Sequence, residues 1–248
     1  EVSEMSSKIK DHFTTRYPNG VMLEVDFKQA EIVVLAFLTQ DPQLIRDGNQ
    51  DVDIYCEVAS QHFKKSITKK ENPEERTLFK PIVLGAGCFG KGAYSVSQEL
   101  DITKEEAQNM INSFFDRYPC IKSSHELWIS KVEASKVLTD DLTPLGHKRH
   151  RGTLQNALGR ILTFKTGDSP AFMAKKGILT SFNPPDIKNY PVQSFTADLV
   201  KMFMGIVWRQ LISDGSLSQV KMVNVVHDSL LFDLPKDLLL KTCNVIDD

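Results

Sequence analysis

Two aspartates in this sequence stand where a strand stops. Asp26 closes "GVMLEVD", an alternating run in which Val21, Leu23 and Val25 take one face and Met22, Glu24 and Asp26 the other. Asp228 lies far along the chain in "VVHDSLLF", where two β-rich runs meet. Singly, each is an ordinary turn or strand-end aspartate, the commoner use of the residue. If the two strands are neighbours, however, both carboxylates face one point. Two such charges about 4 Å apart repel by roughly 4 kcal/mol at an effective dielectric of 20, so the pair calls for divalent cations. Hard oxygen donors favour Mg2+ or Mn2+, and paired ions bridged by carboxylates are the usual apparatus of in-line phosphoryl transfer.

A second group supplies positive charge. In "ERTLFKPIVLGAGCFGKG", Arg76 and Lys80 are four apart, so a helix projects both from one face, and Leu84 follows them if the helix survives Pro81. Two cations on one face can clamp a polyphosphate, although an isolated pair of this spacing is more often plain surface charge. The glycines at 85, 87, 90 and 92 do not form a Walker-type loop, because no GK[ST] follows. A third group, "TPLGHKRHRGTLQNALGR" (143–160), carries His147, Lys148, Arg149, His150, Arg151 and Arg160 with no acid among them. It reads either as a solvated loop or as a phosphate-binding edge.

The elements that must position these groups are partly legible. The strand at 20–26 leads into a helix from about Lys28 to Leu38. "NPEERTLFK" announces another helix, with Asn72 as N-cap, Pro73 at the first helical position and Glu74 and Glu75 in the first turn. Pro81 predicts a kink or break around 77–81. A Thr103–Glu106 capping box opens a helix that stops before Pro119, and a further helix is expected over 122–137. The stretch 139–192 is rich in Gly, Pro and basic residues and reads as loops with short strands. A long helix follows from about Ser194 to Ile212, with Phe195, Leu199, Met202, Phe203, Ile206 and Val207 expected on its buried side. "QVKMVNVVHDSLLFDLP" reads as a hairpin turning at His227–Asp228. Strands towards both ends with helices between them define an α+β class.

Composition sets bounds without pointing to a function. The 248 residues are 41% hydrophobic and 25% charged with a net charge of −2, so basicity alone gives no hint of a nucleic-acid partner. No apolar run approaches a bilayer span, and "EVSEMSSKIKDHF" has no apolar signal region, which points to a soluble, cytoplasmic protein with no membrane partner. Cys56, Cys88, Cys120 and Cys243 are far apart with no CxxC pair, which excludes a zinc-ribbon pattern and fits buried thiols in a reducing compartment.

Together these segments resemble family A, the DNA polymerase I family. "DFKQAE" looks like its first palm motif, D-[FY]-S-Q-x-E, and "RTLFKPIVLGAGCFG" is similar to its fingers-helix motif, R-x-x-x-K-x-x-x-[FY]-G-x-x-Y-G. "VVHDS" resembles the second palm motif, V-H-D-E, and "NYPVQSFTADL" the N-x-P-x-Q-x-x-x-A-D stretch before a long palm helix. "TLQNALGRILTF" looks like the glycine-arginine segment ahead of that stretch. All occur in the family's order, from about residue 8 to 235.

The resemblance implies a palm, a small antiparallel sheet backed by helices, and a helical fingers subdomain. Residues 1–50 would form the first part of the palm, 51–138 the fingers and 139–248 the second part of the palm. The implied activity is template-directed addition of dNTPs to a primer 3′ end by two-metal-ion phosphoryl transfer. By motif position, Asp26 and Asp228 would hold two Mg2+ ions, with Mn2+ as substitute and the backbone carbonyl of Phe27 as a further ligand. Arg76 and Lys80 would bind the triphosphate, with Gln29 and Leu84 shaping the nucleotide pocket. Glu31 falls on the sugar-discriminating position. His227 would contact the primer terminus, Asn189 and Gln193 the duplex or template, and Arg160 the DNA.

Departures from the pattern carry their own expectations. Lys28 replaces the usual serine, Val33 an arginine, Leu84 a Phe or Tyr, and Pro185 an upstream arginine. Ser229 replaces the glutamate after the second aspartate. The terminal tyrosine of the fingers helix corresponds to Cys88 by strict spacing, or to Phe89 with a one-residue shift. The family's thumb and 3′ to 5′ exonuclease have no counterpart in this sequence. It therefore reads as a fragment, a split-gene product or a diverged phage-like enzyme, with a weak, salt-sensitive grip on its primer-template. Processive synthesis would need a separate thumb or exonuclease chain or a processivity factor. Two other readings are a catalytically silent primer-template binding module and a single-subunit RNA polymerase-like enzyme, and Glu31 speaks against the latter.

Overall fold

The computed structural model describes residues 14–50, 52–226 and 228–247. In chain order its elements begin with β1 (Gly20–Asp26), α1 (Ala30–Thr39), α2 (Pro42–Asn49), α3 (Ile54–Phe63), α4 (Pro73–Leu78) and a π-helical segment, Pro81–Cys88. There follow α5 (Ala93–Leu100), α6 (Lys104–Arg117), α7 (Pro119–Ala134), β2 (Val137–Leu142), β3 (Lys148–Gln155), β4 (Ile161–Lys165), β5 (Gly167–Asp168), α8 (Ala171–Ala174) and β6 (Thr180–Ser181). The last are α9 (Pro184–Ser213), β7 (Lys221–Val226), β8 (Ser229–Pro235) and α10 (Leu239–Asp247). The expected α+β class holds. No described helix is long and apolar enough to cross a membrane.

The chain forms two compact units. One joins the residues up to Ala30 with those from Thr196 onward; the other is Glu31–Phe195. The first is built on an antiparallel sheet in the order β1-β8-β7. Its central strand, "SLLFDLP", is apolar at consecutive positions because both its faces are covered; Leu230, Phe232 and Leu234 are fully buried. Val200, Val207 and Leu211 of α9 complete this core, with Phe203 and Met204 partly buried against it. Asp233 is the charged exception. It accepts hydrogen bonds from Thr15 and from Arg16, whose Nε lies 2.6 Å away, and so ties the segment before β1 to the sheet. Burial pushes the Asp233 carboxyl up, but those hydrogen bonds outweigh it and hold the group below the usual carboxylate range.

The second unit is mainly helical, around Phe79, Ile82, Phe114, Tyr118 and Ile121. The capping box is present at Thr103 and Glu106. Pro119 ends one helix and begins the next, so α7 starts three residues before its expected position. The N-terminus of α2 is fixed by the buried Asp41, which accepts from the backbone N–H groups of Gln43 and Leu44. Asp47 of the same helix is held by Arg117 at 2.8 Å and by the Tyr118 hydroxyl at 2.8 Å.

Three expectations are corrected and one is extended. Helix α1 starts at Ala30 rather than Lys28, because Gln29 takes a left-handed backbone with φ 53°. The short strands expected within 139–192 are present, and β2, β3 and β4 join as a three-stranded antiparallel sheet with Leu154, Leu162 and Phe164 on its buried side and Lys165 on Asp141 at 2.6 Å. Helix α9 begins ten residues early and runs through Pro191, with Ile187 and Val192 fully buried on either side. Finally, Leu199, Met202 and Ile206 are exposed; the face that packs on the sheet is Val200, Phe203, Val207 and Leu211.

Candidate active site

Strand register explains how distant aspartates meet. Strands β1 and β8 run antiparallel with Asp26 opposite Ser229, and Val226 pairs with Ser229 from the other side. Asp228, one residue before Ser229, therefore sits at the sheet end where β1 stops. The two carboxyl groups are near enough for the charge of Asp228 to act on Asp26. Burial, the charge of Asp228 and the charge of Glu24, in that order, push the Asp26 carboxyl above its ordinary value; a hydrogen bond from the Phe27 backbone partly offsets them. Phe27 anchors the end of the strand by packing edge-on against Phe203, ring centroids 5.0 Å apart. Among the described residues no group of three or more His, Cys, Asp and Glu forms a metal cage.

Glu24 is a participant that motif reading passed over. It shares a strand face with Asp26, and its Oε1 accepts from Ser229 Oγ at 3.1 Å. The signal was present in the i, i+2 spacing of the two acids. Gln29, at the left-handed turn out of β1, closes this part of the first unit.

The second unit gathers the cations and Glu31. Lys80 is exposed. Arg76 is not open in the same way: its Nε lies 2.7 Å from Asp53 Oδ2, and its guanidinium stacks over the Tyr55 ring at 4.9 Å. Asp53 also caps α3 by accepting from the Cys56 N–H, so one carboxylate orients a cation and starts a helix. Tyr55 belongs to no recognised motif, yet its ring lies under Arg76. Burial first, then neighbouring charges that include Glu31, raise the Tyr55 hydroxyl.

The proline at 81 does not merely bend the fingers segment. Helix α4 stops at Leu78, and from Pro81 the chain winds with i→i+5 hydrogen bonds; the Phe89 N–H reaches the Leu84 carbonyl at 2.9 Å. A wider turn displaces the following face by one residue. Phe89, half-buried, thus stands one turn after Leu84, while Cys88 is fully buried. Burial and then the Glu31 charge drive the Cys88 thiol far above its ordinary range, which keeps it protonated.

On α9, Asn189 and Gln193 are one turn apart. Gln193 is exposed, whereas Asn189 Oδ1 is buried without a hydrogen-bond partner. His227 lies outside the described residues. Arg160 is exposed in the turn between β3 and β4, its N–H bonded to Asn156 Oδ1 at 2.9 Å. Much of the neighbouring basic run is committed to nearby groups of the chain. His147 pairs with Asp168 at 3.0 Å, Lys148 with Asp140 at 3.4 Å, and Arg149 donates to the carbonyls of Leu142 and Thr166.

Comparison with known proteins agrees with this architecture. The family model for DNA polymerase family A matches residues 2–248. The chain belongs to DNA polymerase family A. It is 26% identical over 239 residues to DNA polymerase I of Rhizobium leguminosarum, covering 96% of this chain and 21% of that protein. It is 30% identical over 233 residues to DNA polymerase I of Borreliella burgdorferi, covering 94% of this chain and 23% of that one. The chain thus spans less than a quarter of the length of either relative. Its fold is similar to that of the POL domain of Pol1 from M. smegmatis, solved in complex with DNA primer-template and dNTP. The TM-score is 0.68 at 23% identity, over 94% of this chain and 37% of that one.

Proposed function

We propose that this chain is the palm and fingers portion of a template-directed DNA polymerase that adds dNTPs to a primer 3′ end. Residues 1–50 and 139–248 serve as palm and 51–138 as fingers. The observation that carries the proposal is the meeting of the Asp26 and Asp228 carboxyl groups at one end of the β1-β8-β7 sheet. Two hard anionic donors at one sheet end, where the charge of Asp228 helps to raise the Asp26 carboxyl, are suited to divalent cations, which relieve that repulsion. Asp26, Asp228 and the Phe27 carbonyl would hold two Mg2+ ions, or Mn2+ in their place. When bound, such ions lower the pKa of the primer hydroxyl and neutralise charge on the departing pyrophosphate.

The chain's own residues do the rest. Lys80 and Arg76 bind the triphosphate, Arg76 from a position set by Asp53 and Tyr55. Glu31 crowds the sugar 2′ carbon and disfavours ribonucleotides, with Gln29 and Leu84 lining the nucleotide pocket. Asn189 and Gln193, one turn apart on α9, contact the duplex or template near the new base pair. His227 contacts the primer terminus and Arg160 the DNA. The working compartment is the cytoplasm of a bacterial or phage-infected cell.

Primer extension with dNTPs and, separately, rNTPs tests this reading, using the protein alongside Asp26→Asn and Asp228→Asn. Incorporation of dNTPs by the parent and loss in both variants is expected, with DNA binding retained. Extension by both variants at the parent rate removes the carboxylate pair from the chemistry. Incorporation of neither nucleotide class points to a silent DNA-binding module.

A further inference from the structure

Between β5 and β6 the chain makes an excursion that is held in shape by its own bonds yet buries none of the side chains of α8. Its stem pairs Gly167 with Ser181 and Asp168 with Thr180, and the Ser169 N–H closes it on the Leu179 carbonyl at 3.0 Å. Asp168 ties that stem to the turn between β2 and β3. Its carboxylate accepts from the Thr143 hydroxyl and from the Leu145 N–H at 3.2 Å, and meets His147 Nδ1 at 3.0 Å. The tip, α8, ends in a glycine cap. Gly177 takes φ 83°, its N–H reaches the Ala174 carbonyl at 2.9 Å, and the Ile178 N–H reaches back to the Met173 carbonyl at 3.1 Å, the two bonds of a Schellman motif. What this fixed tip displays is a ring and two cations. Phe172 is 65% exposed, and Leu145, Ile178 and Leu179 are exposed at the stem and tip. The backbone stays helical to Lys175, which sets Lys175 and Lys176, three and four residues on, to the same side as Phe172. Both lysines are exposed, and neither has an ion pair among the described residues. No acid lies between Asp168 and Asp186 to answer them.

An exposed aromatic ring contributes nothing to the core, and apolar surface alone would suit a second copy of the chain. The unanswered lysines narrow the choice, because two copies docked tip to tip would bring like charges together with no acid of the excursion between them. A ligand with flat apolar faces and regularly spaced negative charge satisfies both features. Single-stranded DNA has that chemistry, whereas a duplex keeps its bases stacked inside. We propose that the excursion, residues 169–179, is a binding site for single-stranded DNA, one base stacking on the Phe172 ring and backbone phosphates meeting Lys175 and Lys176. Identifying that strand as the unpaired template rests on the polymerase reading proposed above; the stacking site does not.

Fluorescence anisotropy tests the site, with labelled oligothymidine and with primer-templates carrying either a single unpaired 5′ nucleotide or a longer unpaired 5′ extension. The parent should bind the longer extension at least about fivefold more tightly than the single nucleotide. Phe172→Leu keeps apolar bulk but loses the ring and should remove that gain, whereas Phe172→Trp should keep it. The double variant Lys175→Ala/Lys176→Ala should lower the salt slope of oligothymidine binding by about 1.4, which is about 0.7 for each phosphate no longer neutralised. Phe172→Leu should leave that slope unchanged. A parent that binds both primer-templates alike overturns the proposal, as does a Phe172→Leu variant that keeps the whole gain. Self-association of the parent that Phe172→Leu abolishes, with DNA binding intact, assigns the tip to a second copy and overturns it too. Primer extension by the parent on the same two substrates identifies which idea has failed. Extension without any gain from the longer unpaired strand removes the stacking site and leaves the polymerase reading. Oligothymidine binding that Phe172→Leu loses, with no extension by the parent, removes the polymerase reading and leaves the stacking site.

Discussion

Asp26 and Asp228 share one end of the β1-β8-β7 sheet, where the charge of Asp228 helps to raise the Asp26 carboxyl, and that repulsion is a cost the folded protein carries. A carboxyl raised in the native state binds its proton more tightly there than when unfolded. Its ionised form therefore opposes folding at neutral pH, and that penalty disappears as pH falls through the raised native value. Asp26→Asn should abolish nucleotide addition yet stabilise the protein at pH 7–8 by up to about 1 kcal/mol, a small figure because the site is solvent-screened. Urea titrations at pH 7.5 and near pH 4 check this. The gain should vanish at the lower pH, and a variant less stable than the parent at pH 7.5 refutes the account.

Asp233 carries the opposite sign. Its carboxyl is held below the usual range, so its contribution is present at neutral pH and is lost as pH falls through that lowered native value. Asp233→Asn should cost about 2 kcal/mol at pH 7, the loss of charge-assisted hydrogen bonds at a buried strand position. The gap between variant and parent should narrow in acid. Arg16→Ala should cost less, since the Arg16 side chain is 55% exposed. Paired denaturant curves test the ordering.

Lys80 and Arg76 should part company when truncated. Lys80 is exposed and its loss should raise the KM for dNTPs with no change in melting temperature. Arg76→Ala should impair dNTP use as well, and should also destabilise the protein by about 1–2 kcal/mol, because Asp53 and Tyr55 lose the cation that covers them. Thermal melts of the two variants side by side give the comparison; equal melting temperatures would contradict the role given to Asp53.

Glu31→Ala should relax sugar discrimination. The expected result is a rise in rNTP incorporation relative to dNTP of about tenfold or more, the scale of one removed steric contact. Single-nucleotide extension with matched dNTP and rNTP measures the ratio, and an unchanged ratio takes Glu31 out of the pocket.

Local rules were readable wherever one residue acts on its own neighbours. The span of β1, the capping box at Thr103, the stop before Pro119 and the antiparallel pairing of β7 with β8 all follow from sequence. What escaped was set by partners remote in sequence. Arg76 was expected to be open, but Asp53 claims it from another helix. Pro81 announced a kink or break around 77–81, and α4 does stop at Leu78; the wider turn that follows, with the Gly87 backbone against Phe114, is one no local propensity encodes. The long helix passes Pro191 because buried flanks outweigh one missing N–H. Leu199, Met202 and Ile206 looked like a core stripe, but the sheet packs on the stripe beside them.

The pairing of β1 with β8 also has a consequence for biosynthesis. While the ribosome is still making residues 31–195, Asp26 has already emerged on a strand whose neighbour has yet to be translated. That strand must wait as an unclosed edge, open to wrong partners, until Ser229–Pro235 arrives. Prematurely terminated products would thus retain a folded helical body but no paired acids, and completion of the sheet would be the slow, late event in maturation.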